Sequence, residues 1–322
     1  MPVRRVTTLF ALLGIGAASA MLGVPPRSFV CASSFSTPSE LSALPWPAIS
    51  DLVQGISSIS ISSNGSVSLA EPQTWPLASL RDAAHSSGSR IWVAVHVVSK
   101  PAATTFFGPD TPAAALTASA QALAALVASA KYDGFSLDIE GLQAESKSGY
   151  EAFVSAAAAA AHANSLEMHT TLYAPKLLET GPSAYDVKFL ATTAGVFIMG
   201  YDMSWYGGTP GLGWQQAGPN APIDALGAAL DNAASRGAPA AQLILGLPWY
   251  GRVFACDGTK PAAHGNCSCT TKNFKKKSLD TIQPLASQPG CTEQCAEITA
   301  GRVDMVSARL AYDGGHLSAQ VR

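Results

Sequence analysis

The chain has 322 residues and a net charge of −2, and only 13% of its residues are charged while 48% are apolar. This composition argues against a disordered chain, and the lack of a basic excess argues against nucleic acid as the partner. A neutral partner such as a small molecule or a sugar fits better, and the length suits one α/β barrel or two smaller domains.

The first 20 residues have the composition of a secretory signal peptide. Arg4 and Arg5 precede the apolar segment 6–16, and the small residues at 18–20 provide a cleavage site. We predict that the mature protein begins at about residue 21 and enters the secretory pathway, with a lysosomal or extracellular destination. The uncharged run continues to Val24, so a retained signal anchor is the alternative. No later segment predicts a membrane span.

From about residue 50, strand-like and helix-like segments alternate along the chain. Strands are predicted at 56–62, 91–98, 132–140, 167–175, 195–202 and 242–251, and helices at 75–88, 111–130, 148–164 and 222–237. In the second helix Thr111 is predicted as the N-cap and Pro112 as the first helical residue. Such alternation predicts a parallel sheet covered by helices.

The block 252–300 has no clear period and is expected to be an insertion between barrel elements. Five of the six cysteines lie between positions 256 and 295, and Cys31 stands apart. Clustered cysteines in a secreted chain predict disulfides. Zinc is the alternative, but Cys267 and Cys269 do not form a CxxC pair and no second pair follows. Sequons at Asn64 and Asn266 predict glycosylation.

The segment YDGFSLDIE, residues 132–140, carries two carboxylates at the end of an apolar strand. Because side chains alternate across a strand, three apolar residues are predicted to face helices and three polar residues the barrel interior. The apolar set is Phe135, Leu137 and Ile139, and the polar set is Ser136, Asp138 and Glu140. Neighbouring carboxylates repel each other, so the pKa of one of them should rise. A protonated Glu140 beside an ionised Asp138 suits general acid catalysis. The alternative is that both carboxylates pair with basic residues, of which Lys131 and Lys147 are near in sequence.

These residues resemble a family. DGFSLDIE resembles the DGxDxDxE signature of glycoside hydrolase family 18, the chitinase family, with Ser136 in place of an Asp. MGYD at 199–202 and GLPWYGR at 246–252 resemble two further strands of that family. The resemblance implies a (β/α)8 TIM barrel in one domain over residues 21–322, with the Cys-rich insertion at about 252–300. It also implies a last strand that bears a tryptophan. Because no Trp follows Arg252, we expect the barrel to be incomplete at its carboxyl end.

The resemblance also implies the chemistry. It indicates hydrolysis of β-1,4-linked N-acetylglucosamine oligomers in an exo, chitobiase-like manner, with the substrate's own acetamido group as nucleophile. Glu140 would protonate the glycosidic oxygen, and Asp138 would orient the acetamido group. Tyr201 would hydrogen-bond the acetamido carbonyl, and Asp202 would hold the sugar and adjust Glu140. Asp133 would not contact the sugar but would help to hold these groups in position, with Gly134 making room for it.

Further residues are implied to contact the sugar. Tyr173 and Trp249 are candidate stacking walls, with ordinary core packing as the alternative, and Met199 and Ser136 are candidate binding residues. The partners would be chitin or fragments of the N-glycan core, bound by a monomer. No metal or organic cofactor is expected. A non-catalytic carbohydrate-binding protein of the same fold and an endo-acting enzyme are the alternative functions.

Overall fold

The computed structural model describes residues 9–13, 28–32, 46–69, 77–203, 221–248, 250–256, 275–278, 308–313 and 316–321. The strands are β1 Leu9–Leu13, β2 Ser28–Ala32, β3 Asp51–Ile61, β4 Val67–Leu69, β5 Arg90–Val97, β6 Gly134–Leu137, β7 Glu167–Tyr173, β8 Val196–Met199, β9 Leu243–Gly246, β10 Tyr250–Cys256, β11 Lys275–Ser278, β12 Ala308–Asp313 and β13 His316–Val321. The helices are α1 Leu77–Ser86, α2 Lys100–Phe106, α3 Ala113–Ser129, α4 Lys147–Ala163, α5 Ala174–Leu178, α6 Val187–Thr193 and α7 Ile223–Ser235. Short 3-10 turns occupy Trp46–Ala48, Ala144–Ser146 and Ala240–Gln242.

The main sheet has the strand order β1-β2-β3-β5-β6-β7-β8-β9, and β4 pairs with β3 as a hairpin. Neighbours from β2 to β9 are parallel. Strand β1 is antiparallel to β2 and also contacts β9, so the two ends of the sheet meet. The parallel, helix-covered sheet predicted from the sequence is therefore confirmed. Strand β1 lies in the predicted signal segment, and its cleavage stays a prediction.

A second sheet has the order β11-β10-β12-β13 and includes strands from the Cys-rich block. Four of the clustered cysteines lie outside the described residues, namely Cys267, Cys269, Cys291 and Cys295. The predicted disulfides therefore stay predictions. Of the two sequons, Asn266 also lies outside the described residues, while Asn64 is exposed in the turn between β3 and β4. In the part of the chain that is described, no helix is both long and apolar enough to cross a membrane.

Two apolar clusters lie on the two faces of the main sheet. The larger one joins the outward side chains of the strands to the helices and contains the fully buried Phe135 and Leu137 together with Ile139. The smaller one fills the barrel and is formed by Phe29, Val53, Trp92, Phe197 and Met199. The alternation predicted for residues 135–140 therefore matches the observed packing, with the polar residues on the barrel side.

Two helix starts differ from the sequence-based expectation. Thr111 does not cap α3, because its hydroxyl donates a hydrogen bond to the carbonyl of Thr105 (3.0 Å) and Pro112 occupies the N-cap position. Helix α2 was not predicted. Its N-cap is Ser99, whose hydroxyl accepts a hydrogen bond from the Ala102 amide (3.3 Å). This cap fixes the helix start, which places Lys100 beside the loop that follows β6.

Gly134 opens β6 where the ring of Trp92 fills the barrel. A Cβ at Gly134 would lie 2.8 Å from the Trp92 ring and 2.6 Å from the carbonyl oxygen of Glu167. The indole of Trp92 is held in turn, because its Nε1–H donates to the buried carboxylate of Asp51 (2.9 Å). The space at Gly134 therefore accommodates the Trp92 ring, and a role of Gly134 in making room for Asp133 stays a prediction.

Gly134→Ala is therefore expected to lower the free energy of unfolding by roughly 1–3 kcal/mol, the usual cost of overpacking a core. Urea denaturation measures the change. The matched control is Gly227→Ala on α7, where the added Cβ meets no atom within 4 Å. A mid-helix alanine should stabilise the protein by up to about 1 kcal/mol. Equal effects of the two substitutions would contradict the packing argument.

Candidate active site

The polar residues of the 132–140 segment lie at the carboxyl end of the parallel strands, where barrel sites are built. Strand β6 ends at Leu137, and the Asp138 amide continues its ladder by donating to the carbonyl of Val95 (2.8 Å). Glu140 follows two residues later. The carboxyl ends of β5, β7 and β8 bring His96, Thr171 and Met199 to the same end of the barrel.

Asp138 is held by side chains from the two neighbouring strands. Its Oδ1 accepts a hydrogen bond from the Thr171 hydroxyl (2.6 Å), and its Oδ2 lies 3.4 Å from Nδ1 of His96. The alternative that this carboxylate pairs with a nearby lysine does not match these contacts. Lys147 donates to Asp186 instead (3.1 Å), and Lys131 precedes β6 at the opposite end of the strand.

Glu140 lines a pocket that is open to solvent and has a volume of about 560 Å³, the solvent space at its mouth included. Its side chain is exposed on this pocket, while the surrounding protein displaces water from the carboxyl group. This desolvation and then the negative charge of Asp138 raise the pKa of Glu140 to about 7, with a smaller contribution from Asp202, and the Lys100 ammonium opposes the increase. The group is therefore suited to donate a proton near neutral pH.

The pocket wall combines apolar side chains with a few polar groups, as in most small-molecule sites. The other lining residues are Lys100, Ile139, Gly141, Thr171, Leu172, Tyr173, Lys176, Tyr185 and Met199. Lys176 is bound to Glu179 (3.0 Å), while Lys100 packs along Gly141 next to the acid. Tyr173 and Met199, both predicted to contact sugar, are therefore at the pocket surface.

Tyr185 fixes the backbone on both sides of Glu140. Its hydroxyl donates to the carbonyl of Ile139 (2.9 Å) and accepts from the amide of Leu142 (3.0 Å). Burial raises the pKa of Tyr185, so the phenol stays neutral and can do both. No local sequence pattern marks Tyr185 as a site residue, because it lies in a segment without periodicity before α6.

Asp202 and Tyr201 follow β8 at the same end of the barrel. The Tyr173 hydroxyl donates to the backbone carbonyl of Asp202 (2.5 Å), whose φ of +58° is in the left-handed region. A non-glycine residue in that region carries strain, which is common at functional sites. Tyr201 packs against the apolar cluster inside the barrel, and Asp202 is close enough to raise the pKa of Glu140.

Three predicted site residues differ in position from the others. Asp133 precedes β6, so roughly 20 Å of extended chain separates it from Glu140. Its Oδ2 accepts from the amide of Ile91 (2.8 Å) and lies 2.8 Å from Nε2 of His85. The structure thus places Asp133 at the amino end of the barrel, where it cannot support the acid. Ser136 is buried beneath Asp138, below the pocket surface, and Trp249 lies outside the described residues.

Residues 56–300 match the family described as Glycosyl hydrolases family 18. Comparison with curated protein sequences found no match.

Similar solved structures include the chitinase from Chromobacterium violaceum ATCC 12472, with 18% identity and a TM-score of 0.62 over 90% of this chain and 80% of that one. The Group IV chitinase from Ostrinia furnacalis, solved with allosamidin, has 16% identity and a TM-score of 0.60 over 77% and 73%. YKL-39, solved in the presence of chitooligosaccharides, has 14% identity and a TM-score of 0.59 over 76% and 75%.

These identities establish the fold alone, and they confirm the (β/α)8 TIM barrel class. The match over residues 56–300 covers more than half of the sequence, including all of the pocket residues described above. The chain therefore belongs to glycosyl hydrolases family 18.

Proposed function

We propose that this chain is a glycoside hydrolase that cleaves β-1,4-linked N-acetylglucosamine oligomers with Glu140 as the general acid. The observation that carries the proposal is the carboxyl group of Glu140, which lines an open pocket and has a pKa of about 7. About half of such a group is protonated at neutral pH, so it can protonate a leaving oxygen. Asp138 lies two residues away, and its negative charge contributes to the raised pKa of Glu140.

The proposed reaction uses the substrate's acetamido group as the nucleophile. Glu140 gives its proton to the glycosidic oxygen as the bond to the anomeric carbon breaks. The acetamido oxygen attacks that carbon and forms an oxazolinium ion, whose N–H is oriented by Asp138. Glu140, now ionised, takes a proton from a water molecule as that water attacks the anomeric carbon. The bond from this carbon to the acetamido oxygen breaks, which opens the oxazolinium ring and gives a product of retained configuration. Tyr201 would bind the acetamido carbonyl, and Asp202 would hold the sugar.

The proposed substrate class rests on the lining of the pocket and on its neighbours. Tyr173 offers a ring and Met199 an apolar side chain at the pocket surface, which suit the apolar face of a sugar. The Ostrinia chitinase was solved in complex with allosamidin, and YKL-39 in the presence of chitooligosaccharides. We also propose that the enzyme acts in an exo, chitobiase-like manner and that it enters the secretory pathway.

Digestion of chitotetraose and chitohexaose by the purified protein tests the proposal. Mass spectrometry of early products, with one chain end labelled, is expected to show release of small units from one end. Cleavage at internal bonds would replace the exo assignment by endo action. Binding of the oligomers without any turnover would overturn the catalytic proposal in favour of a carbohydrate-binding protein.

The pH dependence of hydrolysis follows from the pKa of Glu140. The acid must be protonated, so kcat/KM is expected to fall as the pH rises through about 7, and by about tenfold per pH unit beyond it. Initial rates between pH 5 and 9 measure this alkaline limb of the pH profile. The Lys100 ammonium lowers the pKa of Glu140, so Lys100→Met is expected to move the limb to higher pH. An unchanged limb in Lys100→Met would show that another group sets it.

A further inference from the structure

His96 lies one residue before the end of β5, beside Asp138, and no step of the proposed reaction uses it. Its Nδ1 lies 3.4 Å from Oδ2 of Asp138, and the Thr171 hydroxyl donates to the other oxygen of the same carboxylate (2.6 Å). Strands β5 and β7 lie on either side of β6. Each of the two neighbouring strands therefore presents one side chain to one oxygen of Asp138.

The second ring nitrogen of His96 indicates where the proton resides. Nε2 is buried and has no hydrogen-bond partner among the described residues. A proton on Nε2 would be a buried donor without an acceptor, which is costly, and an imidazolium ring would add a charge there. A bare lone pair on Nε2 costs less. The proton is therefore expected on Nδ1, which faces the carboxylate.

The groups that surround His96 leave Asp138 as its nearest charged neighbour. Ser60 on β3, which is in register with His96, is uncharged. Charged groups at this end of the barrel include the carboxylates of Asp138, Glu140 and Asp202, the Lys100 ammonium, and Lys176 in its ion pair with Glu179. Of these groups, Asp138 is the one within ion-pair distance of His96.

We propose that His96, with a proton on Nδ1, is a positioning residue that acts through Asp138. The inference rests on the proposed function. His96 and Thr171 hold the two carboxylate oxygens from opposite sides, so Asp138 keeps one orientation toward the sugar. The separation of 3.4 Å is longer than the usual N–H···O distance of about 2.9 Å. Hydrogen bonds of catalytic groups often tighten only when substrate is bound.

The tautomer is tested without any turnover. Long-range 15N–1H correlation spectra of the full protein at pH 8, assigned with His96→Asn, distinguish the two neutral tautomers. The expected result is an Nδ1–H tautomer for His96, in the free protein and with chitotriose added. An Nε2–H tautomer would overturn the proposal, whatever the activity of the protein. Absence of hydrolysis by the wild-type protein would instead overturn the proposed function, and the spectra would still decide the tautomer.

Three variants test whether His96 acts through Asp138. His96→Ala is expected to lower kcat by roughly tenfold to a hundredfold, as for loss of a hydrogen bond to a charged group, with little change in KM. His96→Asn is expected to recover most of the rate, because its amide nitrogen occupies nearly the place of Nδ1. In the Asp138→Asn background, His96→Ala should cause no further loss.

Three outcomes would contradict the positioning role. Additive losses in the double variant would show that His96 does not act through Asp138. An Asn variant as slow as the Ala variant would exclude hydrogen-bond positioning as the reason for the loss. A fall in kcat that follows the melting temperature across the variants would assign His96 to stability alone. Should His96→Ala fail to fold, His96→Asn and the spectra of the wild type still decide between these outcomes.

Discussion

Glu140→Gln is expected to lower kcat for chitotetraose hydrolysis by roughly 10²- to 10⁴-fold, the contribution of a positioned general acid. The glutamine keeps the shape of the side chain but has no acidic proton to give to the glycosidic oxygen. Oligomer binding should survive, because the pocket wall is unchanged. Initial rates and calorimetric titration with chitotetraose measure the two effects separately.

The matched control for this substitution is Glu145→Gln. Glu145 is exposed and lies five positions further along the chain, in the 3-10 turn Ala144–Ser146. The control is expected to keep the wild-type rate. Equal turnover by the wild type and Glu140→Gln would exclude Glu140 as the acid. A similar loss in both glutamine variants would point to a distorted loop.

Stability against pH gives a second check on the same residue. The pKa of Glu140 rises from 4.5 to about 7 in the folded protein. The folded state therefore binds more protons than the unfolded chain in this window. The resulting stability is fully present below pH 4.5 and is lost as the pH rises through 7. Relative to Glu140→Gln, the wild type should thus become less stable between these pH values, as thermal melts across the range would show.

Asp138→Asn is expected to lower kcat by roughly 10²- to 10³-fold, the range seen when a preorganised polar group in a water-poor site is removed. An amide has nearly the shape of the carboxylate but none of its charge, so it stabilises the positive oxazolinium poorly. Oligomer binding should be retained, and the rates and titrations described for Glu140 apply.

The pH profile of Asp138→Asn distinguishes an electrostatic role from a structural one. The charge of Asp138 raises the pKa of Glu140, so the alkaline limb of kcat/KM should move to lower pH in the variant. Asp110→Asn, at an exposed loop position, is the control and should leave the limb in place. An unmoved limb in Asp138→Asn would contradict the coupling of the two carboxylates, and loss of oligomer binding would indicate misfolding.

The sequence predicted the features of the site that depend on local periodicity. Period-two alternation placed Phe135 against the helices and Asp138 on the barrel side, because successive side chains of a strand point to opposite faces of the sheet. A raised pKa for one of the two carboxylates was predicted from their repulsion on one face, whereas in the structure burial is the larger cause of the raised pKa of Glu140 and the charge of Asp138 the second. The alternation of strands and helices likewise predicted the parallel sheet.

The remaining features depend on contacts that no local pattern encodes. His96 lies in an apolar run that reads as an ordinary strand, and only the pairing of β5 with β6 brings it to Asp138. Asp133 belongs to the motif, but the length of the strand carries it to the opposite end of the barrel. Helix α2 is seven residues long, which is too short for a clear periodic signal.

The hydrogen bonds of Tyr185 on either side of Glu140 have a consequence for the free energy of substrate binding. The hydroxyl bridges the carbonyl of Ile139 and the amide of Leu142, so the peptide units around the acid are immobilised before any ligand arrives. Ordering a loop residue costs about 1–2 kcal/mol of backbone entropy. In this protein that entropy is lost during folding and not during sugar binding. The free energy of the sugar's contacts therefore remains available for affinity and for distorting the sugar toward the transition state.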